Sequence, residues 1–239
     1  LPKLVRAGYR VAVCEQMENP KFAKGIVKRE VIEVVTPGVA ISDKLLDHKK
    51  NNYLLSVYIE DEIAGIAFCD ISTGEFSTFE FNRTELSQQL GSINPSEILI
   101  AKKMKNELEP LIHKAVPSAR ITKIDDWIFN YDYCTELLMN HFNTKTLKGF
   151  GIENLRIAIC SAGAALNYLR ETQKANLTHI NKITRHNPSD YMILDYSTKK
   201  NLEIMFTMQE GEREGSLISI LDKTLTSMGA RMLKKWISA

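Results

Sequence analysis

Three consecutive segments of alternating apolar and polar residues constrain the possible fold more than any other feature of this chain. In YLLSVYIE (53–60) the alternate apolar side chains share one face, and IAGIAFCDIS (63–72) and EFSTFEF (75–81) follow after short turns. Alternation with a period of two is typical of β-strands, and short connections favour antiparallel neighbours. The segments therefore predict a three-stranded antiparallel meander.

The pattern changes its period after the meander. RTELSQQLGSI (83–93) predicts a helix, EILIA (97–101) a short buried strand, KNELEPLIHKAV (105–116) a helix interrupted at Pro110, and RITKI (120–124) another strand. Three strands followed by alternating helices and strands indicate a mixed sheet with helices packed on it. The predicted fold class is therefore α/β.

Two longer helices are expected to complete this unit. YDYCTELLMNHF (131–142) predicts the first, and Asn154 is the predicted cap of a second helix that continues to about residue 174. The second helix has an apolar stripe and three consecutive small residues, Gly163 to Ala165, which allow close approach to the sheet.

The two ends of the chain predict incomplete pieces of structure. RVAVCEQ (10–16) and EVIEVVTPG (30–38) read as two strands, which cannot form a core without further elements. LDKTLTSMGARMLKKWI (221–237) predicts an amphipathic helix capped by Ser227, whose apolar face requires a partner. We therefore expect the chain to be a segment of a larger protein.

The net charge of +2 conceals an uneven distribution along the chain. Residues 1–50 contain ten Lys or Arg against six Asp or Glu, whereas residues 51–191 contain 14 against 17. Because affinity for nucleic acids depends on neutralising phosphates, the first segment is the one expected to contact DNA. Its basic loop offers four candidates for contact with the DNA backbone: Lys21, Lys24, Lys28 and Arg29. A solvated surface loop explains the same charges equally well.

The chain lacks the motifs of nucleotide and metal chemistry. No glycine is followed by lysine, so the phosphate-binding Walker A loop is absent from this sequence. The cysteines lie far apart and the histidines never occur at metal-ligand spacing, so we predict no metal site. We expect four buried or half-buried thiols in a reducing cytoplasm. The longest apolar run, 157–166, is too short to cross a membrane.

The stretch CDISTGEF (69–76) suggests an alternative function. An aspartate on a strand before a Ser-Thr-Gly turn resembles the phosphate-binding hairpin of ribonuclease H-like proteins, and Asp70 would then serve a metal-dependent nuclease. Such nucleases need several carboxylates that converge on one sheet edge, and the later strands offer only Glu97. A structural hairpin turn, in which Gly74 supplies the permissive backbone, is the favoured interpretation.

Five phrases occur in order along the chain: VAVCEQMENPKFAKGIVKREVIEVVTPGV, DISTGEF, LKGFGIEN, TKKNLEI and LDKTLTSMGARMLKKWI. The last is the most specific, because it combines two threonines, Met-Gly, Arg-Met-Leu and a tryptophan after two basic residues. Together the phrases resemble the MutS family of DNA mismatch-repair proteins, and the resemblance covers essentially the whole chain.

The resemblance implies three parts. Residues 1–40 would be the C-terminal remnant of a mismatch-binding domain, residues 48–188 a ribonuclease H-like connector domain with a mixed sheet flanked by helices, and residues 190–239 the start of a helical core. In the family, the connector relays changes between the DNA-binding and ATPase ends and offers a surface to MutL.

The resemblance also implies functions that these residues cannot perform alone. The Phe-x-Glu motif that contacts a mismatched base is missing, because no phenylalanine here is followed two positions later by glutamate. We therefore expect this segment neither to recognise mismatches nor to hydrolyse ATP. The longer protein is expected to be a cytoplasmic homodimeric ATPase that uses ATP and Mg, binds mismatched double-stranded DNA and engages MutL. A relative that acts in recombination is the other alternative.

Overall fold

A six-stranded mixed sheet lies at the centre of the computed structural model, which describes residues 1–18, 26–39, 51–174, 177–187, 194, 196–208 and 212–238. The strands of this sheet are β3 (Leu54–Glu60), β4 (Ile63–Asp70), β5 (Glu75–Asn82), β6 (Glu97–Ala101), β7 (Arg120–Ile124) and β8 (Thr184–Arg185). Their order across the sheet is β7-β6-β3-β4-β5-β8.

The pairing of these strands confirms the predicted α/β class with a mixed sheet. Strands β3, β4 and β5 form the antiparallel meander, while β6 runs parallel to β3, and β7 runs parallel to β6. The short strand β8 pairs in parallel with β5 and was not predicted, because its two residues have no recognisable alternation. The more specific ribonuclease H-like resemblance stays a prediction.

Helices cover both faces of the sheet. Leu86 and Leu90 of α2 (Leu86–Ile93) and Ile112 of α3 (Lys105–Ala115) pack on one face. Leu138 of α4 (Tyr131–His141) and Leu166 of α5 (Arg156–Gln173) pack on the other. Successive side chains along a strand point to opposite faces of the sheet, so both faces need a covering layer. Leu54 and Leu55, for example, lie on opposite faces and are both fully buried.

Helix α5 approaches the sheet more closely than ordinary side chains would allow. A Cβ on Gly65 of β4 would lie 2.5 Å from the backbone carbon of Ile157 in α5. The hydroxyl of Ser161 donates to the Gly65 carbonyl at 2.7 Å, so a small residue on each element makes the contact. A Cβ on Gly163 would lie 2.3 Å from the Cβ of Cys134 in α4, which explains the small residues of this helix.

Three local predictions about the helices were wrong. Asn154 does not cap α5: the carboxylate of Glu80 in β5 accepts from the backbone N–H of Ile157 at 2.6 Å and that of Ala158 at 3.0 Å. Helix α3 is not interrupted at Pro110 and continues to Ala115. It can do so because proline removes only one helical hydrogen bond. Ser227 is not the cap of α8: the hydroxyl of the preceding Thr226 accepts the backbone N–H of Gly229 at 3.1 Å.

The N-terminal segment forms a small unit of its own. Helix α1 (Pro2–Arg6) packs Val5 against Val35 of an antiparallel hairpin made by β1 (Val11–Gln16) and β2 (Arg29–Val35). Cys14 is exposed on β1, which corrects the expectation of four buried or half-buried thiols, whereas Cys69, Cys134 and Cys160 are buried. An alternating strand with one face open to solvent exposes every second residue.

The C-terminal segment contains α6 (Tyr196–Asn201), α7 (Leu217–Leu221) and α8 (Ser227–Ser238). Helix α8 is amphipathic as predicted, and its apolar Met228, Met232 and Trp236 are exposed. Among the described residues, no helix combines the length and the apolar character that crossing a membrane requires.

We expect Gly65→Ala to destabilise the protein by about 1–3 kcal/mol, because the added methyl group meets the backbone of α5 and neither element can move independently. Chemical denaturation monitored by circular dichroism measures the difference in unfolding free energy. Gly91→Ala in α2 is the control: its new Cβ meets nothing within 4 Å, and alanine favours a helix over glycine by about 0.5–1 kcal/mol. Equal stability of the two variants would contradict the close-packing account.

Candidate functional site

A buried carboxylate joins the N-terminal segment to the central sheet. Glu97, the first residue of β6, is fully buried. Its Oε2 accepts hydrogen bonds from the Thr36 hydroxyl at 2.5 Å and the Gly38 N–H at 3.1 Å. Its Oε1 accepts from the hydroxyls of Thr122 and Tyr168, both at 2.7 Å. We call these five residues the Glu97 junction.

The elements of the fold explain why these groups meet. Glu97 is paired with Leu54 in β3, and its side chain points to the face covered by α5, where Tyr168 lies. Thr122 comes from the neighbouring strand β7, in which it pairs with Leu99 of β6. Gly38 allows the N-terminal segment to approach, since a Cβ there would lie 2.6 Å from the Cβ of Glu97.

The hydrogen-bonding capacities of the junction match. An ionised carboxylate offers about four lone-pair directions and no donor, and Glu97 receives four donors. Burial and the neighbouring Glu97 carboxylate raise the pKa of the Tyr168 phenol, so this group keeps its proton and remains a donor. Hydrogen bonds to an ionised group are roughly twice as strong as neutral ones, so the junction is a firm attachment.

Further contacts hold the N-terminal segment against the central unit. The side chains of Gln173 and Lys174, at the end of α5, donate to the carbonyls of Val39 at 3.2 Å and Val31 at 3.0 Å. The Arg10 guanidinium lies 5.7 Å from the centre of the Tyr168 ring. The segment is therefore attached at several points along α5.

The C-terminal segment reaches the same sheet through a separate ion pair. Lys235 of α8 contacts Glu75, the first residue of β5, with 2.6 Å between Nζ and Oε1. The other oxygen of Glu75 accepts from the Tyr53 hydroxyl at 3.1 Å and the Asn51 amide at 3.3 Å. The sheet thus contacts both ends of the chain through glutamates at the ends of its strands.

The structure describes two of the four predicted DNA-backbone residues, Lys28 and Arg29. Lys21 and Lys24 are outside the described residues. Lys28 is exposed immediately before β2, with its Nζ 2.7 Å from Oε1 of Glu30, and Arg29 is an exposed residue of the same strand. The structure therefore leaves both described cations at the surface.

Asp70 is fully buried and engaged in the turn that follows β4. Its Oδ1 accepts from the backbone N–H of Ser72 at 2.9 Å and its hydroxyl at 2.6 Å, and its Oδ2 accepts from the Asn52 N–H at 3.2 Å. Across the part of the chain that the structure describes, no three His, Cys, Asp or Glu residues form a group able to hold a metal ion. Asp70 serves the turn.

Sequence reasoning missed the role of Glu97 and its partners. The available signal was a glutamate at the start of an otherwise apolar buried strand, EILIA, because such a position needs buried donors. Nothing local identifies those donors, since Thr36 is 61 residues away and Tyr168 is 71 residues away. The arrangement positions chain segments relative to one another and presents no nucleophile.

We expect Glu97→Gln to destabilise the protein by about 1.5–3 kcal/mol, because the new amide group opposes two of the four donors with a donor of its own. Thermal and denaturant unfolding measure this loss, and limited proteolysis should show faster cleavage within residues 1–39. Glu107→Gln is the matched control: its ion pair with Arg83 is exposed, so the expected loss is about 0–1 kcal/mol. Equal losses would show that the junction contributes no more than a surface ion pair.

Comparison with known protein families identifies three matches along the chain. A model described as MutS domain II matches residues 52–181, which include most of the central sheet and all of α2 to α5. Models of MutS domain I and MutS domain III match residues 1–44 and 197–239.

Individual proteins are similar over nearly the whole chain. A DNA mismatch repair protein MutS of Cytophaga hutchinsonii is 48% identical over 99% of this chain, and one of Flavobacterium psychrophilum is 45% identical over all of it. A third, of Parabacteroides distasonis, is 44% identical over 99% of the chain. In each case the aligned region is 27% of the relative, so the chain spans about a quarter of the length of these proteins. Since a single domain model covers more than half of the chain and similar proteins align along all of it, the chain belongs to the MutS family.

Proposed function

We propose that this chain is a segment of a DNA mismatch-repair ATPase, in which it links the DNA-binding end to the rest of the molecule. Residues 1–40 would be the end of the mismatch-binding domain, residues 48–188 the connector and residues 190–239 the start of the helical core. The observation that supports this best is that the central sheet holds the N-terminal segment through Glu97 and contacts α8 through Glu75.

The connector would act by moving as one body. Its sheet has helices packed on both faces, and α5 contacts it at a distance that only small residues permit. Coupling between distant sites is commonly transmitted by rigid-body movement of a packed unit against its neighbours. A firmly attached N-terminal segment would move with such a unit.

The remaining partners belong to the longer protein. We propose that it is a cytoplasmic homodimer that binds mismatched double-stranded DNA, hydrolyses ATP with Mg, and engages MutL through the connector. Family membership and the names of the similar proteins support the mismatch-repair role, and the other properties extend it from the family resemblance. The recombination alternative differs upstream, where only a repair protein should have the Phe-x-Glu motif.

The nuclease alternative receives no support from the described residues. Each oxygen of Asp70 already accepts a hydrogen bond within or beside its turn. Glu97, the only other candidate carboxylate, points to the face of the sheet covered by α5 and is occupied by its own four donors. Two carboxylates that serve different contacts do not form a shared metal site.

We propose that Lys21, Lys24, Lys28 and Arg29 contact the DNA backbone in the longer protein. The positive balance of the first 50 residues supports this assignment. Neutralised phosphates release counterions, so each contact steepens the dependence of affinity on salt.

Lys28→Gln in the longer protein should therefore weaken binding to duplex DNA of any sequence and reduce the slope of log K against log salt by about 0.9. Fluorescence anisotropy at a series of salt concentrations measures the slope. Lys148→Gln, a change of an exposed lysine in the central unit, provides the control and should leave the slope unchanged. An unchanged slope in both variants would exclude Lys28 from the DNA contact.

The coupling role is tested by Glu97→Gln in the longer protein. We expect the variant to retain both its affinity for mismatched DNA in the absence of nucleotide and its basal rate of ATP hydrolysis. ATP-dependent release from mismatched DNA should slow, because the N-terminal segment is no longer held to the sheet and does not move with it. Stopped-flow release of labelled duplex measures the rate, and Glu107→Gln provides the control. Release at the normal rate would count against a coupling role for the connector.

A further inference from the structure

The turn between β4 and β5, residues Asp70 to Glu75, has a role beyond connecting two strands. We call it the Asp70 turn. Its backbone closes tightly, since the N–H groups of Thr73 and Gly74 donate to the Asp70 carbonyl at 3.2 and 2.9 Å. Gly74 has a φ of +73°, which favours glycine at that position.

The first attachment of the turn is to Asn52, which in turn contacts the N-terminal segment. Asp70 Oδ2 accepts the backbone N–H of Asn52 at 3.2 Å, and the side-chain amide of the same Asn52 donates to the Pro37 carbonyl at 2.8 Å. Pro37 lies between Thr36 and Gly38, the two donors that the N-terminal segment provides to Glu97. One asparagine therefore links the turn to the residues that fasten this segment.

The second attachment is to the stretch that follows α5. The His179 ring nitrogen Nε2 lies 2.9 Å from the Ile71 carbonyl oxygen. A Cβ on Gly74 would lie only 2.6 Å from the His179 carbonyl oxygen, so the two backbones are in close contact. This stretch continues into β8, which pairs with β5 at the edge of the sheet.

The third attachment is to helix α8, through the ion pair between Lys235 and Glu75 at the end of the turn. Glu75 is the more buried partner, with 22% of its side chain exposed against 48% for Lys235. The stretch after α5 and helix α8 thus contact these six consecutive residues directly, and the N-terminal segment is linked to them through Asn52.

We propose that the Asp70 turn fixes the orientation of the N-terminal segment relative to helix α8, with Asp70 as the positioning residue. Its two carboxylate oxygens make separate contacts, since Oδ1 holds the turn through Ser72 and Oδ2 holds Asn52. The N-terminal segment is linked to this side chain through Asn52, and α8 is linked to the other end of the same turn through Glu75. The inference deepens the proposed coupling function and rests on it for its biological meaning, although its geometry stands in this chain alone.

Spin labels on this chain measure the orientation directly. Cys14 is exposed on β1. Burial raises the pKa of the Cys69 and Cys134 thiols, and it raises the pKa of the Cys160 thiol to about 11, so Cys14 is the reactive native thiol. Met228→Cys introduces a second site on α8, where the side chain is 73% exposed. Double electron–electron resonance between the two labels reports both the mean distance and its spread.

In this background, Asp70→Asn should widen the distance distribution, because the amide places an NH2 donor at one of the two oxygen positions, so that either Ser72 or Asn52 loses its acceptor. Asn130→Ala is the matched control: it removes another side chain that accepts a backbone N–H, that of Tyr133 at the start of α4, away from the turn. It should lower the thermal midpoint without widening the distribution. An unchanged width in Asp70→Asn, or equal widening in both variants, would overturn the proposal.

A second pair of variants decides the case if Asp70→Asn does not fold. Lys235→Gln removes the charge that faces Glu75 and should widen the distribution, whereas Lys223→Gln, a change of an exposed lysine before α8, should not. No difference between them would overturn the proposal. The proposed coupling function is judged separately by DNA release from the longer protein, so a failure of one is distinguishable from a failure of the other.

Discussion

The buried carboxylate of Glu97 is the interaction on which the arrangement of the N-terminal segment depends. A charge in an apolar interior is tolerated only when donors replace the water that it has lost, and here four donors from three parts of the chain do so. Removing any one of the contributing elements leaves the carboxylate underbonded. The free energy of attaching the segment and the stability of the sheet therefore depend on the same hydrogen bonds.

The close packing of α5 makes that arrangement rigid. Gly65 and Gly163 bring the helix within contact distance of a strand on one side and of α4 on the other, and Glu80 caps its first turn from the sheet. Tyr168 on the same helix then reaches Glu97. The helix thus connects the packing of the core to the polar junction.

Much of the central fold was predictable because its elements are encoded locally. The strands at 97–101 and 120–124 occur where the apolar runs predicted them, and the meander follows from its alternation. Two of the failures share one cause, which is that tertiary contacts replaced the local signal. Glu80 caps α5 in place of Asn154, and β8 exists only because β5 offers an edge to pair with. The structural turn favoured for Asp70 agrees with the hydrogen bonds that its carboxylate accepts from Ser72 and Asn52.

The α/β class, the antiparallel meander and the family could all be recognised in the amino-acid sequence, because periodicity and ordered phrases are properties of neighbouring residues. Which polar residues act together became visible in the folded chain alone. Thr36 and Tyr168 lie 61 and 71 residues from the carboxylate that they share, and Lys235 lies 160 residues from Glu75. Such pairings depend on where the sheet and α5 place each side chain. A pattern within a few neighbouring residues cannot indicate a partner that is so far away along the chain.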